Sequence, residues 1–481
     1  MEYRGATVTT VNNVIGVAAL LSSLNSRQFR QLKSFITPAR GILFLASSGN
    51  MDFESSSLSI SEPSGRAKRR DFLKGLAILA GSSALLAELP WWSPLRAAPV
   101  GESPADRVRL GLIGVGTRGN LHLAHLLRTP GVEVAALCDD YEPHLQAGRA
   151  KVKGATGFSD YRKMLEMPGL DGVLIATPLH LHARICLDAF SAGKHVFCEK
   201  SLAYTIEECQ AIADAYRGSR KVFQVGHQRM FSPAFLRAHE LLREGEIGPI
   251  TQIRAYWHRN GDWRNPVPDP SLERRLNWRL YRAYSCGLMT ELASHHMQVA
   301  NWFLGAPPIS CVGYGSINYW KDGRELYDNV NVVYRYANGT HVIYDSLISN
   351  RFYGSEIQIM GPKGTIEAET GRLLAEQPPP APGIVQLING IEHGFFDTVP
   401  IGGPSWVPDL KKDTRGRPLV EQKSTDDGTA ISLAAFANAI RLGEPIPGMM
   451  EQACRAGVCV LMGQAAMEQQ REIAWPEGFR V

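Results

Sequence analysis

"RVRLGLIGVGTRGN", Arg107 to Asn120, decides the fold. Val108 to Ile113 is a short apolar run suited to a buried strand, and it breaks into glycines at Gly114, Gly116 and Gly119. In a G-x-G-x-x-G pattern the first glycine permits the tight turn and the second lets backbone approach a pyrophosphate. The third lets the following helix pack on the strand. A helix entered at Arg118 directs free N–H groups and a partial positive charge at phosphates. A second strand, "VEVAALCDD", ends at Asp139, about 20 residues further on. An acid there accepts hydrogen bonds from ribose hydroxyls and repels a 2′-phosphate, so NAD is favoured over NADP.

The βα rhythm continues through the strands "DGVLIATP", "HVFCEK" and "KVFQVGHQR", with helices "HLHARICLDAFSAG" and "TIEECQAIADAYRGS" between them. Such alternation predicts a parallel sheet with its ligand at the carboxyl ends of the strands. Thr177-Pro178, Glu199-Lys200 and His227-Gln228 fall at those ends, and His182 lies in the helix that follows Pro178. The expected cofactor contacts are Gly114, Gly116, Thr117, Arg118, Gly119, Asp139, Thr177, Pro178, His182, Glu199, Lys200 and Gln228. Beyond residue 228 the pattern changes. "ITQIRAYWHRN" alternates, "NVNVVYRYANGTHVIYDSLIS" reads as a hairpin around Asn338-Gly339, and "SEIQIMGPKGTIEAE" as another around Gly361 to Gly364.

"GVGTRG", "CDD", "ATPLHLHA", "CEKSLA" and "VGHQRMF", in this order and spacing, resemble the glucose–fructose oxidoreductase, inositol dehydrogenase and MocA family. The resemblance spans roughly residues 107–370 and, more loosely, the C-terminal helices. It implies an α/β Rossmann domain followed by an α+β domain with an open-faced, mostly antiparallel sheet. It also implies NAD-dependent hydride transfer at a sugar, glycoside or cyclitol hydroxyl carbon. In that family the lysine of Glu-Lys-Pro is catalytic, which here points to Lys200 in "EKS", with Ser201 in place of proline. The family's acid and histidine match Glu291 and His295 in "CGLMTELASHHMQVANWFLG". His295 would act as general base, and Glu291 would fix its tautomer or hold a substrate hydroxyl. Spacing by four places both on one face of an amphipathic helix whose apolar side carries Leu292, Val299, Trp302 and Phe303. Ser285-Cys286-Gly287 and Gln298 depart from the family pattern, which has a glycine triplet and an aspartate there. No metal is expected, since His295 and His296 lie about 100° apart around a helix.

The sequence thus divides into residues 101–228, the nucleotide domain, and 229–481, a substrate and oligomerisation domain with an insertion at 378–423 and two C-terminal helices. The loop 258–282 is rich in Trp, Arg and Asn; it is either a sugar-facing loop, with stacking from Trp263 or Trp278, or a solvated connection. One face of the open sheet is expected to cover the nucleotide domain and the other to join subunits. The partners expected are a small carbohydrate and a second copy of the chain. Two rival functions stay open: an NAD-dependent glycosidase that oxidises a ring carbon transiently and recycles the cofactor in place, and a non-catalytic sugar-binding relative.

Composition is that of an ordinary globular chain. Residues 1–100 hold 11 Lys+Arg against 6 Asp+Glu, leaving 40 against 41 in the remainder, so no nucleic-acid footprint is expected. The eight cysteines form no Cys-x-x-Cys and read as buried free thiols. The early basic excess has another explanation. "KRRDFLK", Lys68 to Lys74, resembles the twin-arginine export motif, and "GLAILAGSSALLA", Gly75 to Ala87, is a 13-residue apolar core too short to span a bilayer. Residues 51–100 therefore read as a signal region for export through the twin-arginine machinery to the periplasm or beyond, with cleavage or retention as an anchor both open. Residues 1–50 read as a non-native or disordered extension, with translation starting at Met51. Twin-arginine substrates cross folded, which suits a tightly bound NAD. Replacing Arg69 and Arg70 by lysine is expected to leave the protein in the cytoplasmic fraction, and N-terminal sequencing is expected to find nothing from residues 1–50. Unchanged fractionation would remove the export reading.

Overall fold

Strand β1 (Val108–Ile113) is buried along its length except at Arg109, because it lies between parallel neighbours on both sides. The computed structural model describes residues 107–376, 416–420 and 427–480. The signal region, residues 1–50 and most of the 378–423 insertion lie outside the described residues. The strands β2 (Val132–Cys138), β3 (Thr156–Phe158), β4 (Gly172–Ile175), β5 (His195–Cys198) and β6 (Phe223–Val225) join β1 in the order β3-β2-β1-β4-β5-β6. Every pairing is parallel. The helices between them are α1 (Thr117–Leu126), α2 (Glu142–Arg149), α3 (Tyr161–Leu165), α4 (His182–Ser191) and α5 (Ile206–Ser219). Strand order reverses between β1 and β4, and the crevice outside their carboxyl ends is where such sheets take ligands. Helix α5 starts with a reciprocal cap: Thr205 Oγ1 accepts from Glu208 N, and the Glu208 carboxylate accepts from Thr205 N.

After α6 (Pro233–Arg243) the chain builds a nine-stranded sheet. Its members are β7 (Gln252–His258), β8 (Ser310–Ser316), β9 (Asn329–Arg335), β10 (His341–Leu347), β11 (Ser355–Gly361), β12 (Gly364–Glu367), β13 (Arg372–Ala375), β14 (Arg417–Pro418) and β15 (Ile473–Ala474). The order is β14-β13-β12-β11-β7-β10-β9-β8-β15, antiparallel except between β7 and β10. Both expected hairpins form, β9 with β10 and β11 with β12. Gly339, at the tip of the first, has φ +86, a conformation open to glycine at no steric cost. Alternation along β9 buries Val330, Val332 and Tyr334 and exposes Asn331, Val333 and Arg335, so one face is dry and the other open.

Under the dry face runs a π-helical turn (Met289–Ala293) continued by α7 (Ser294–Leu304). This segment is not the one-sided amphipathic helix that the apolar spacing suggested. Ser294 to Asn301 are all buried, polar residues included. His296 touches the Trp257 and Tyr344 rings of the sheet, while α9 (Met449–Gln469) covers α7 from elsewhere. Helix α8 (Thr429–Leu442) and α9 are shared between the domains. Phe436 of α8 sits 5.8 Å from Phe197 of β5, and Gln224 Nε2 of β6 donates to Ser432 O at 2.9 Å. Helix α9 packs against α5 and β6 as well as α7 and β8. The boundary near residue 228 separates the sheets but not the helices. All eight cysteines are free and buried.

The glycine turn sets tolerances that can be measured. A Cβ on Gly119 would fall 1.9 Å from the Gly114 carbonyl oxygen, whereas one on Gly116 meets nothing nearer than the His144 ring at 3.6 Å. Gly119→Ala is expected to cost upwards of about 2 kcal/mol in chemical denaturation. Gly116→Ala is expected to keep stability within about 0.5 kcal/mol while weakening NAD binding roughly tenfold, because its space is needed by the ligand and not by the fold.

Candidate active site

Each strand end contributes a polar group, and the local backbone explains how each is held. Asp139, just past β2, accepts from Val115 N at 2.7 Å and Tyr141 N at 2.9 Å, so its carboxylate braces the glycine turn. Two carboxylate oxygens offer about four acceptor positions, which leaves capacity for ribose hydroxyls. Gly114 has φ +90, and a Cβ there would meet the Ala176 carbonyl at 2.6 Å, so the turn is pressed against the end of β4. Thr177 Oγ1, in that contact region, is enclosed and has no hydrogen-bond partner. Pro178 caps the short 3-10 turn that follows, Leu179–Leu181. Gln228 donates from Nε2 to Asp427 Oδ2 at 3.1 Å, while its Oε1 is enclosed without a partner.

Glu199, 4% exposed at the end of β5, ties this together. Its Oε1 accepts from Arg118 Nε and His122 Nε2, each at 2.7 Å, and its Oε2 accepts from Lys200 N at 3.1 Å. Burial works to raise its pKa, but Arg118, His122 and Lys200 hold it well below the usual carboxylate range. His122 is kept neutral by burial, so Nε2 carries the donated proton. His182 departs from its expected role as a cofactor contact. It is 2% exposed, with Nδ1 at 2.8 Å from Ser201 O and Nε2 at 3.0 Å from Thr177 O. As a ring kept neutral by burial it has one N–H, which it donates to one of these two carbonyls, and it sits between the ends of β4 and β5.

These groups fit a dinucleotide. The first-turn amides of α1 have no intrahelical acceptor, Gly116 leaves room beside them, Asp139 has spare acceptor positions, and Thr177 and Gln228 hold unpaired atoms. Arg275 pairs with Asp140 at 3.0 Å, so this cation beside the end of β2 is already matched.

Lys200 meets Glu291 here. Lys200 Nζ donates to the Glu291 carbonyl at 3.0 Å and lies 3.7 Å from Glu291 Oε2. Ser201 Oγ donates to the Thr290 carbonyl at 3.0 Å. Both carbonyls belong to the π turn, where the regular i→i−4 ladder is interrupted, so the widened turn offers them sideways to the end of β5. The Lys200–Ser201 peptide bond is cis. Burial opposes ionisation of Glu291, yet Lys200 and Arg279, whose Nε donates to Oε2 at 2.9 Å, keep its pKa below the ordinary value. His295 is 7% exposed, and its Nδ1 is enclosed without a partner. Burial first, then the Arg229 and Lys200 charges, hold its pKa well below that of a free imidazole. The π turn also breaks the simple four-residue register expected between Glu291 and His295. His295 faces His227 and Trp257, with ring centroids 5.9 and 5.5 Å away, whereas His296 faces Glu369 at 3.4 Å.

Several residues of the site escaped the motif reading. Arg229, 7% exposed, donates from Nε to Glu369 at 2.6 Å and lies 5.1 Å over the Trp257 ring. Burial would raise the Glu369 pKa, but Arg229 and His296 draw it down to about 2. Arg229 and His227 sit inside "VGHQRMF", so the motif contained them without marking them. Glu369 follows β12 and carries no local signal. The loop 258–282 is braced both within itself and against residues 322–325: Arg264 pairs with Glu273 and Asp322, Arg274 with Glu325, and Asn277 Nδ2 donates to Asn265 O at 3.0 Å. Trp278 lies under its neighbour Arg279, and Trp263 packs on the core. Within this loop it is Arg279 that touches the site through Glu291.

The family model described as "Oxidoreductase family, NAD-binding Rossmann fold" matches residues 108–227, and "GFO/IDH/MocA C-terminal domain" matches 235–367. Together they span just over half of the chain. The chain belongs to the GFO/IDH/MocA oxidoreductase family. Among its relatives, levoglucosan dehydrogenase of Pseudarthrobacter phenanthrenivorans is 33% identical over 209 residues, 42% of this chain and 52% of that protein. Inositol 2-dehydrogenase of Acidothermus cellulolyticus is 29% identical over 347 residues, 69% of this chain and 92% of that protein. A solved structure of levoglucosan dehydrogenase in complex with NADH and levoglucosan superposes with TM-score 0.60 at 21% identity, covering 77% of this chain and 100% of that one. This GFO/IDH/MocA member is thus an oxidoreductase whose Rossmann domain takes NAD.

Because His295 is already neutral at ordinary pH, oxidation by this GFO/IDH/MocA protein is expected to keep its rate as pH falls through 6.5, the unperturbed imidazole value. The acid limb of kcat/KM should lie lower. An acid limb at or above that value would contradict the assignment of His295 as base.

Proposed function

We propose that this chain oxidises a secondary hydroxyl carbon of a sugar, glycoside or cyclitol with NAD. The observation that carries the reading is that the Lys200 ammonium is bonded to Glu291, while His295, four residues further along the same segment, is an imidazole held neutral by burial and by the charges of Arg229 and Lys200. NAD, when bound, supplies the hydride acceptor, held by the glycine turn, Asp139 and Thr177. An ammonium has three donors; Glu291 occupies at most two of those on Lys200, leaving one for the substrate oxygen. That donor favours the negative charge that gathers on the oxygen as its proton leaves. His295, a neutral imidazole with one nitrogen free of hydrogen, takes the proton there. Glu291, shared between Lys200 and Arg279, keeps the ammonium pointing at one place and contributes a compensating charge.

The test is a panel of sugars, glycosides and cyclitols read both for NADH absorbance and for released sugar. Lys200→Ala is expected to lose about three powers of ten in kcat while retaining NAD. Normal turnover in that variant would remove Lys200 from the reaction. Release of sugar with no net NADH would assign the glycosidase cycle, and binding without either product would assign a non-catalytic protein.

The proposal includes export through Arg69-Arg70, with NAD held tightly and regenerated in place by a second sugar or later in the same cycle. It also includes assembly of copies through the open face of the sheet. There Val312, Tyr314 and Val333 are 44%, 77% and 37% exposed, an apolar stripe that water alone does not stabilise. Tyr314→Glu is expected to lower the solution mass measured by light scattering to that of a smaller species. An unchanged mass would place the interface elsewhere.

A further inference from the structure

His227 has no part in the hydride chemistry above, yet it is among the most enclosed polar groups beside it. It is 1% exposed, and neither Nδ1 nor Nε2 has a hydrogen-bond partner. Its ring stands edge-on to that of His295, with centroids 5.9 Å apart. The charged groups around it are Lys200, Glu199 and Arg229. Burial and the two cations press its pKa down to about 3, so it is a neutral imidazole with one donor nitrogen and one acceptor nitrogen. Leaving such atoms unpaired costs about 1–3 kcal/mol each, and orphans of this kind in a native interior call for an explanation.

We propose that His227 is a specificity-determining residue that engages the hydroxyl next to the one being oxidised, so that the enzyme requires a vicinal diol. The inference rests on the dehydrogenase reading and deepens it. A carboxylate could satisfy only the donor nitrogen, and an ammonium only the acceptor. A hydroxyl serves either, whichever tautomer the ring adopts. Two neighbouring hydroxyls on a sugar ring lie about a hydrogen-bond length apart. Imidazoles whose centroids are 5.9 Å apart can therefore hold one each, His295 the reacting hydroxyl and His227 its neighbour. Arg229, stacked on Trp257 and paired with Glu369, carries only donors and cannot itself supply the missing acceptor.

The experiment crosses His227→Phe, which keeps a ring of similar bulk and loses both nitrogens, with deletion of single hydroxyls from the substrate. NAD-loaded wild-type and variant proteins are given D-glucose, levoglucosan and myo-inositol and the monodeoxy forms of each. On the best parent sugar the variant is expected to lose about 10- to 100-fold in kcat/KM. On one monodeoxy form, wild type and variant should become equal, because the partner of the missing nitrogen is already gone. The acid limb of the pH profile should not move. An equal loss on every sugar would mean a structural role and overturn the proposal, as would a shifted acid limb with no dependence on deoxygenation. So would full activity of the variant, or failure of the wild type to bind any of the three sugars. Titration calorimetry on the same pairs separates this proposal from the reading beneath it. If the wild type binds but never forms NADH, the dehydrogenase reading falls, while the binding cycle still decides the part played by His227. His227→Gln, which restores one donor and one acceptor, is expected to recover part of the preference.

Discussion

One buried anion organises the site. A lone carboxylate taken out of water costs several kcal/mol, and Glu199 stays ionised only because three donors converge on it. Two come from α1, one turn apart, so the helix that opens the dinucleotide site is bolted to the end of β5. The third is the backbone N–H of Lys200, so the same carboxylate fixes the root of the Lys200 side chain. Space is reserved for it: a Cβ on Gly226, at the end of β6, would meet its carboxyl atoms at 2.7 Å. Losing one partner would leave an uncompensated buried charge, an effect of about 3–5 kcal/mol. The glycine turn's helix, the end of β5 and the end of β6 therefore meet around a single buried charge.

Around that anion the protein separates charged from neutral groups by environment. Lys200, Arg118 and Arg229 each face a carboxylate, in Glu291, Glu199 and Glu369. The imidazoles of His122, His182, His227 and His295 are enclosed, and burial is the first cause of the lowered pKa in each. The site thus sets cations paired with carboxylates among neutral rings, the distribution of charge on which the proposed removal of a hydroxyl proton rests. The π turn belongs to the same arrangement, since it presents two carbonyls to Lys200 and Ser201 that a regular helix would have kept for itself.

Much of this was legible in the chain, for physical reasons that differ by element. The glycine turn and the parallel strands are local: periodicity and three glycines specify them, and Lys200 stands at a strand end that the alternation locates. Glu291 and His295 were found through family resemblance, while the geometry joining them was not, because a π turn has no marker in residue spacing. The one-sided reading of α7 failed since Ser294, Gln298 and Asn301 are polar yet buried, an outcome set by two packed neighbours and not by the helix itself. Glu369 was invisible for the same reason. It reaches Arg229 across 140 positions, and only the nine-stranded sheet brings them together.

The shared helices have a consequence for how the two halves hold together. Helix α9, residues 449 to 469, is the wall against which α5, β6, α7 and β8 all rest. Each half lends part of its apolar flank to a helix that the other half also needs. Loosening that one wall uncovers both flanks at once, so the two sheets share one cooperative unit and open together.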